Sequence, residues 1–148
     1  MIPRFGPPPE RQSYRLRPGA YAVLIRGGSA LLTFQHAPES EYQLPGGGID
    51  PGESPLAALH REVREETGWT IGEPRWLGAY RRYCYMPDYG FWAEKLCNVW
   101  LARPILRHGP PSEPGHEARW LPLAGVEALL PEPGMRACFR RARQRLRR

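Results

Sequence analysis

The stretch from Gly46 to Trp69, GGGIDPGESPLAALHREVREETGW, constrains this chain more than any other. Gly46, Gly47 and Gly48 give a backbone that can approach a ligand closely and adopt positive φ. Ser54 offers an N-cap and Pro55 suits the first helical position, so the spacing predicts a helix from there. Leu56, Leu59 and Val63 fall at i, i+3 and i+7, one apolar stripe along it. Gly68 is its C-terminal stop. A glycine loop thus delivers the chain to a helix N-terminus, where free N–H groups favour anions.

On this helix Glu62 and Glu66 stand one turn apart with Glu65 beside them, about a quarter turn from the apolar stripe. Three carboxylates this close repel one another unless cations neutralise them. Hard divalent ions with oxygen ligands are the natural partners, Mg²⁺ first and Mn²⁺ as the alternative. Arg61 and Arg64 lie close enough to hydrogen-bond one acid and fix its direction. Cleavage of a phosphate anhydride needs this combination. The metal offsets phosphate charge, polarises the phosphorus–oxygen bond and lowers the pKa of a water, whose proton a carboxylate can take.

An isolated EVREE string is usually a solvated helix face. The whole stretch is more specific. Gly47, Glu53, Arg61, Glu62, Val63, Glu65, Glu66, Gly68 and Trp69 fill a pattern of G, five residues, E, seven residues, then R-E-U-x-E-E-x-G-U with U apolar. The fixed residue types at this spacing would arise by chance about once in 10⁹ starting points. The stretch resembles the signature of the Nudix hydrolases, the MutT-like family. The one departure is Trp69, larger than the usual aliphatic residue.

The resemblance implies an α/β fold, an α/β/α sandwich around a mixed β-sheet. It implies that Glu62, Glu65, Glu66 and the backbone carbonyl of Gly46 bind the metal. Arg61 would orient a neighbouring Glu, and Glu53 would brace the loop. The catalytic group is then Glu62 and Arg61 with an acid from a late loop, Glu117 as first choice and Glu113 as second. Substrate contacts are expected from Arg26, Gly47, Gly48, Tyr83 and Tyr85. The substrate class is a nucleoside diphosphate linked to another group. Some family subgroups carry Pro about fifteen residues past the signature, or Tyr slightly further on. Here Cys84 and Tyr85 stand there, which favours a nucleoside triphosphate or related nucleoside polyphosphate over ADP-ribose. All the signature carboxylates are present, which argues against a nucleotide-sensing module without activity.

The remaining chain reads as one domain over residues 19–148, preceded by a Pro/Arg-rich arm over residues 1–18 that is extended, has no core contribution of its own, and either docks on the domain or stays mobile. Ala20 to Arg26 and Ser29 to Gln35 form a hairpin around Gly27-Gly28. Trp76 to Tyr85 and Phe91 to Ile105 form an antiparallel pair around a Pro87–Gly90 turn. Ala118 to Leu123 is a short strand, Leu123 to Leu130 a short helix, and Met135, Cys138, Phe139, Ala142 and Leu146 mark one face of a last helix. Aromatic faces at Tyr83 and Tyr85 can stack a nucleobase.

Charge needs care. Seven of the arginines lie between Arg136 and Arg148, and removing them from a net charge of +6 leaves −1. The basicity therefore belongs to the last helix, not to a domain-wide nucleic-acid surface. The tail could contact an RNA 5′ end, which keeps RNA 5′-pyrophosphohydrolase as the alternative activity. Its apolar stripe favours a helix docked on the domain. Three cysteines without CxxC spacing argue against a disulfide framework or a zinc site and suit a reducing cytoplasm. No apolar run reaches membrane-spanning length. The expected partner is a small nucleotide, and the protein is expected as a monomer or homodimer.

Overall fold

The computed structural model describes residues 2–6 and 13–147. Strand β1 is Arg4–Phe5, β2 Tyr14–Arg26, β3 Ser29–Gln35, β4 Glu41–Gln43 and β5 Gly46–Gly48. Helix α1 spans Pro55–Thr67. Then come β6 (Trp69–Met86), β7 (Phe91–Arg107), β8 (His116–Pro122), α2 (Leu123–Leu129) and α3 (Pro133–Leu146). The strands form one mixed sheet in the order β1-β6-β7-β2-β3-β4, with β5 also on β2 and β8 also on β3. β2 runs parallel to β7 and β1 parallel to β6, while the other pairings are antiparallel.

Alternation along β2 builds the layers. Ala20, Ala22 and Leu24 point to one face, where they pack with Leu31 against Ala58, Leu59 and Val63 of α1. Tyr21, Val23 and Ile25 point to the other. There Val23 joins Leu32, Leu77 and Val99 under Val126 of α2 and Phe139 and Ala142 of α3. The result is an α/β/α sandwich around a mixed sheet. Among the described residues no helix is long and apolar enough to cross a membrane.

Several boundaries differ from the sequence reading. The glycine loop is itself a strand, because Gly46–Gly48 pairs with Tyr21–Gly19. β6 begins at Trp69, directly after the helix stop, and tolerates polar and Gly residues through register shifts near Ile71, Gly72 and Trp76. The buried stripe of α1 is Ala58, Leu59, Val63, Glu66 and Thr67, and Leu56 is 46% exposed. Leu56 sits in the first turn, before the helix reaches the sheet, so its apolar character is spent on the surface.

The described start of the N-terminal arm docks on the domain. Arg4 and Phe5 pair with Arg81 and Arg82, and the Phe5 ring meets Tyr80 edge-on at 5.7 Å, so the segment does contribute to the core. β2 begins at Tyr14, so residue 18 falls inside a strand and marks no boundary. Parallel pairing with β7 supplies the partners that composition did not reveal. The extended reading of Pro7, Pro8, Pro9 and Arg11 lies outside the described residues.

Helix α3 docks through Met135, Cys138, Phe139 and Ala142, all buried. Its arginines take part in the docking. Arg136 donates to the carbonyls of Leu130 and Pro131, Arg141 to that of Leu77 and Arg145 to that of Trp76, while Arg140 pairs with Glu127. Arg148 lies outside the described residues.

Candidate active site

Helix α1 is fixed at both ends. The Ser54 hydroxyl accepts from the Ala57 N–H at 3.1 Å, and the Gly68 N–H donates to the Arg64 carbonyl at 2.8 Å. Gly68 has a φ of 78°, and a Cβ there would overlap the Gly109 carbonyl. The late loop is therefore pressed onto the end of α1. The N–H groups of Ser112 and Glu113 both donate to the Glu65 carbonyl at 2.9 Å.

At the other side of α1, β5 lies against the acidic face. A Cβ on Gly47 would stand 2.6 Å from the Glu62 carboxyl, so only glycine lets the strand pass this closely. The Gly46 N–H donates to Glu66 Oε2 at 3.0 Å. One residue ties loop and helix together. Arg61 forks onto Glu53 through Nε at 2.8 Å and Nη2 at 2.9 Å, and Nη2 also reaches the Gly48 carbonyl at 3.0 Å. Its Nη1 donates to Glu62 at 2.9 Å and Glu65 at 3.2 Å.

These contacts separate the acids electrostatically. The Arg61 hydrogen bonds, with the Asp50 N–H, hold Glu53 down at about 2. Glu66 is pushed up to about 8, first by burial and then by the negative charges of Glu62, Glu113 and Glu65, against the lowering effect of the Gly46 N–H. Glu62 is raised by burial, with Arg61 opposing. The site thus holds more negative charge than one guanidinium balances.

That imbalance bears on metal binding. Among the described residues no three His, Cys, Asp or Glu side chains converge as a ready cage, because Arg61 lies between Glu53, Glu62 and Glu65. The donor set nonetheless fits a hard divalent cation: carboxylates on one helix edge, a glycine backbone beside them, and a buried Glu66 whose ionisation a cation would favour.

The structure brings Gly46, Gly47, Gly48, Glu53, Arg61, Glu62, Glu65 and Glu66 together, and Gly68 fixes the helix they stand on. Of the late acids, Glu113 acts on both Glu62 and Glu66. Glu117 is engaged elsewhere: its carboxylate accepts from His36 Nε2 at 2.7 Å and Arg119 Nη2 at 2.8 Å. It lines a separate depression of about 510 Å³ with Thr67, Trp69, His116 and Trp120. Arg26 is also elsewhere, its guanidinium 4.8 Å from the Trp69 ring and 5.3 Å from Trp120. This stacking occupies Trp69, which meets Trp120 edge-on.

Beside the glycine strand the opposite sheet face opens into a cavity of about 760 Å³. Tyr21, Arg82, Lys95 and Glu132 line it, whereas Tyr83 and Tyr85 border it along β6 but alternate to the other sheet face, their rings on Tyr14 and Trp92. Sequence reasoning passed over Tyr21, Arg82 and Glu132. Tyr21 was legible as the residue facing Gly46 only once β5 was known to be a strand. Glu132 ion-pairs with Arg82 and accepts from the Tyr80 hydroxyl at 3.0 Å, a link between distant segments that has no local signal.

Fold and site together define an α/β/α protein whose helical acids flank a glycine strand that can receive an anion. The NUDIX domain model matches residues 15–142, and the chain belongs to the Nudix hydrolase family. An RNA pyrophosphohydrolase from Legionella pneumophila is 31% identical over 114 residues, covering 75% of this chain and 55% of that protein. A putative 8-oxo-dGTP diphosphatase from Bacillus subtilis is 34% identical over 64 residues, 43% of each. The chain thus spans about half the length of the curated relatives it matches. Among solved structures, a MutT NUDIX hydrolase from Burkholderia pseudomallei is similar with a TM-score of 0.66 at 25% identity, covering 86% of this chain and 98% of that one. A NUDIX hydrolase from Nitrosomonas europaea has a TM-score of 0.68 at 21% identity over 88% and 90%.

Proposed function

We propose that the protein hydrolyses a phosphoric anhydride in a nucleoside triphosphate or related nucleoside polyphosphate. The observation that carries this reading is the packing of Glu62, Glu65 and Glu66 against the Gly46–Gly48 strand, with Glu66 buried and its carboxyl pushed up to about 8. A divalent cation, Mg²⁺ or Mn²⁺, held by these three acids and the Gly46 carbonyl would supply counter-charge to the phosphates and polarise the scissile bond. The chain's own groups do the rest. Beside Gly48, where a Cβ would meet open space, the strand backbone would let a diphosphate rest against it. Arg61 holds Glu62 and Glu65 in direction, and its grip on Glu53 and the Gly48 carbonyl keeps strand and helix in register. Glu113, fixed by its backbone to Glu65, takes the proton of the attacking water. The nucleoside enters the cavity over Tyr21, where the exposed Tyr89 offers an aromatic face.

The test is release of phosphate or pyrophosphate from a panel of nucleoside polyphosphates, with Mg²⁺ present and removed. Activity with Mg²⁺ that falls by about a hundredfold or more in Glu113→Gln and little in Glu117→Gln supports the assignment. The reverse ranking removes Glu113 from the mechanism. A panel without turnover removes the reading itself.

A second reading places the same anhydride at an RNA 5′ end. The name of the Legionella relative favours it. The basic tail does not, because Arg136, Arg140, Arg141 and Arg145 are spent on docking α3.

A further inference from the structure

The depression of about 510 Å³ at the C-terminal end of α1 takes no part in the anhydride chemistry. Trp69, Arg107, Pro110, Pro111, His116 and Trp120 line it. Glu117 is the one acid at its border among the described residues, and its side chain belongs elsewhere. Along β8, Ala118 and Trp120 stand opposite Thr33 and Leu31 on the face that packs against α1, so Glu117 and Arg119 alternate to the other face. His36 and Arg119 hold the Glu117 carboxylate there.

The cations around the depression have no protein counter-charge. Arg26 and Arg107 are exposed and form no ion pair among the described residues. Arg26 stacks on both indoles, 4.8 Å from the Trp69 ring and 5.3 Å from Trp120. Stacking uses the face of a guanidinium and leaves its N–H edge for an anion. His116 Nδ1 lies 2.9 Å from the Thr33 hydroxyl oxygen, which leaves Nε2 for a ligand. Trp69 and Trp120 meet edge-on at 5.5 Å, and Trp120 is 36% exposed. The signature asks only for an apolar residue at position 69, so the indole adds flat surface that the metal acids do not require. A single exposed arginine is ordinarily a solvated surface group. Two of them with two indoles around one hollow are the elements that hold a phosphate and a ring.

We infer that this depression is a second ligand site, which takes a nucleoside monophosphate with its phosphate on Arg26 and Arg107 and its base against Trp120. Two guanidiniums balance the charge of one phosphomonoester. A polyphosphate would bring a metal, and no free carboxylate stands here to receive it. The inference rests on the proposed hydrolysis only for the source of the nucleotide, since cleavage beside the nucleoside's own phosphate releases a monophosphate. Pro110, Pro111 and His116 flank Glu113 along the chain, so an occupied site bears on the loop that carries that acid.

Calorimetric titration of the full chain with adenosine 5′-monophosphate in EDTA tests it, because binding without metal is independent of turnover. Saturable binding is expected, with adenosine and inorganic phosphate each about tenfold weaker or more. Arg107→Gln, at an exposed position that does not threaten the fold, should weaken the monophosphate about tenfold, and so should Trp120→Ala. Tyr89→Ala, in the larger cavity, should leave it unchanged. Circular dichroism confirms that each variant is folded. Absence of saturable binding overturns the inference. So does phosphate binding as tightly as the nucleotide, or binding lost in Tyr89→Ala and kept in Trp120→Ala and Arg107→Gln. A polyphosphate panel without turnover, with monophosphate binding intact, would remove the proposed function and leave this site standing. Turnover without monophosphate binding would do the reverse.

Discussion

At the scale of single residues, the account turns on how closely Gly47 lets β5 approach Glu62. Gly47→Ala should leave the fold intact, because the atoms in its way are the end of a side chain that can swing. It should also break the alignment of Glu62 with Arg61 and lower kcat/KM by about a hundredfold. Equal turnover in that variant would mean that Glu62 position is not important. Glu53 gives a pH prediction. Its folded pKa of about 2 lies below the ordinary 4.5, so the unfolded chain binds its proton first as pH falls. The stability it contributes is fully present above about pH 4.5 and is lost as pH falls through about 2. The gap in urea midpoint between wild type and Glu53→Gln should close across that window, and a gap constant with pH would contradict the Arg61–Glu53 link. Helix periodicity was enough to group Glu62, Glu65 and Glu66 from sequence. It could not show that Glu66 belongs to the buried face, because the burial depends on β5 crossing at that height, and the Gly46 N–H that meets it is far away in sequence.

At the scale of elements, the stop at Gly68 is both a helix cap and the seat of the late loop. Gly68→Ala meets the Gly109 carbonyl and imposes a left-handed φ on a residue with a side chain. It should destabilise the protein by about 1–3 kcal/mol or more and loosen the loop that carries Glu113. Hydrogen exchange at Ser112 and Glu113 would read the second effect, since both amides bond to Glu65. Unchanged exchange there would detach the loop from the helix end. The helices and the β6–β7 hairpin were legible because caps, turn residues and apolar spacing are local signals. Pairings that join distant segments were not. The parallel contacts of β1 with β6 and of β2 with β7 depend on neighbours that only the folded chain supplies, and so the first eighteen residues read as an arm. Glu117 shows the same gap. It lies in β8 rather than in the loop, and while Arg119 is a local partner, His36 comes from a distant segment.

At the scale of the whole molecule, the sheet separates two tasks. One face and its edge hold the acidic helix, while the other holds a cavity closed by α3 and the N-terminal strand. Phe139 lies at the centre of that second layer, fully buried. Phe139→Ala should cost about 3–5 kcal/mol by chemical denaturation. A cost below about 1 kcal/mol would mean that α3 is not part of the cooperative core. The acids of α1 are proposed to hold a divalent cation for anhydride cleavage. This proposal is tested most directly by the Mg²⁺ dependence of nucleoside triphosphate hydrolysis in wild type and Glu66→Gln. A glutamine amide oxygen can still accept from the Gly46 N–H, so the variant should fold while losing the charge. The account predicts Mg²⁺-dependent turnover in wild type and a loss of about a hundredfold or more in Glu66→Gln. Full activity of the variant at the same Mg²⁺ concentration would contradict it.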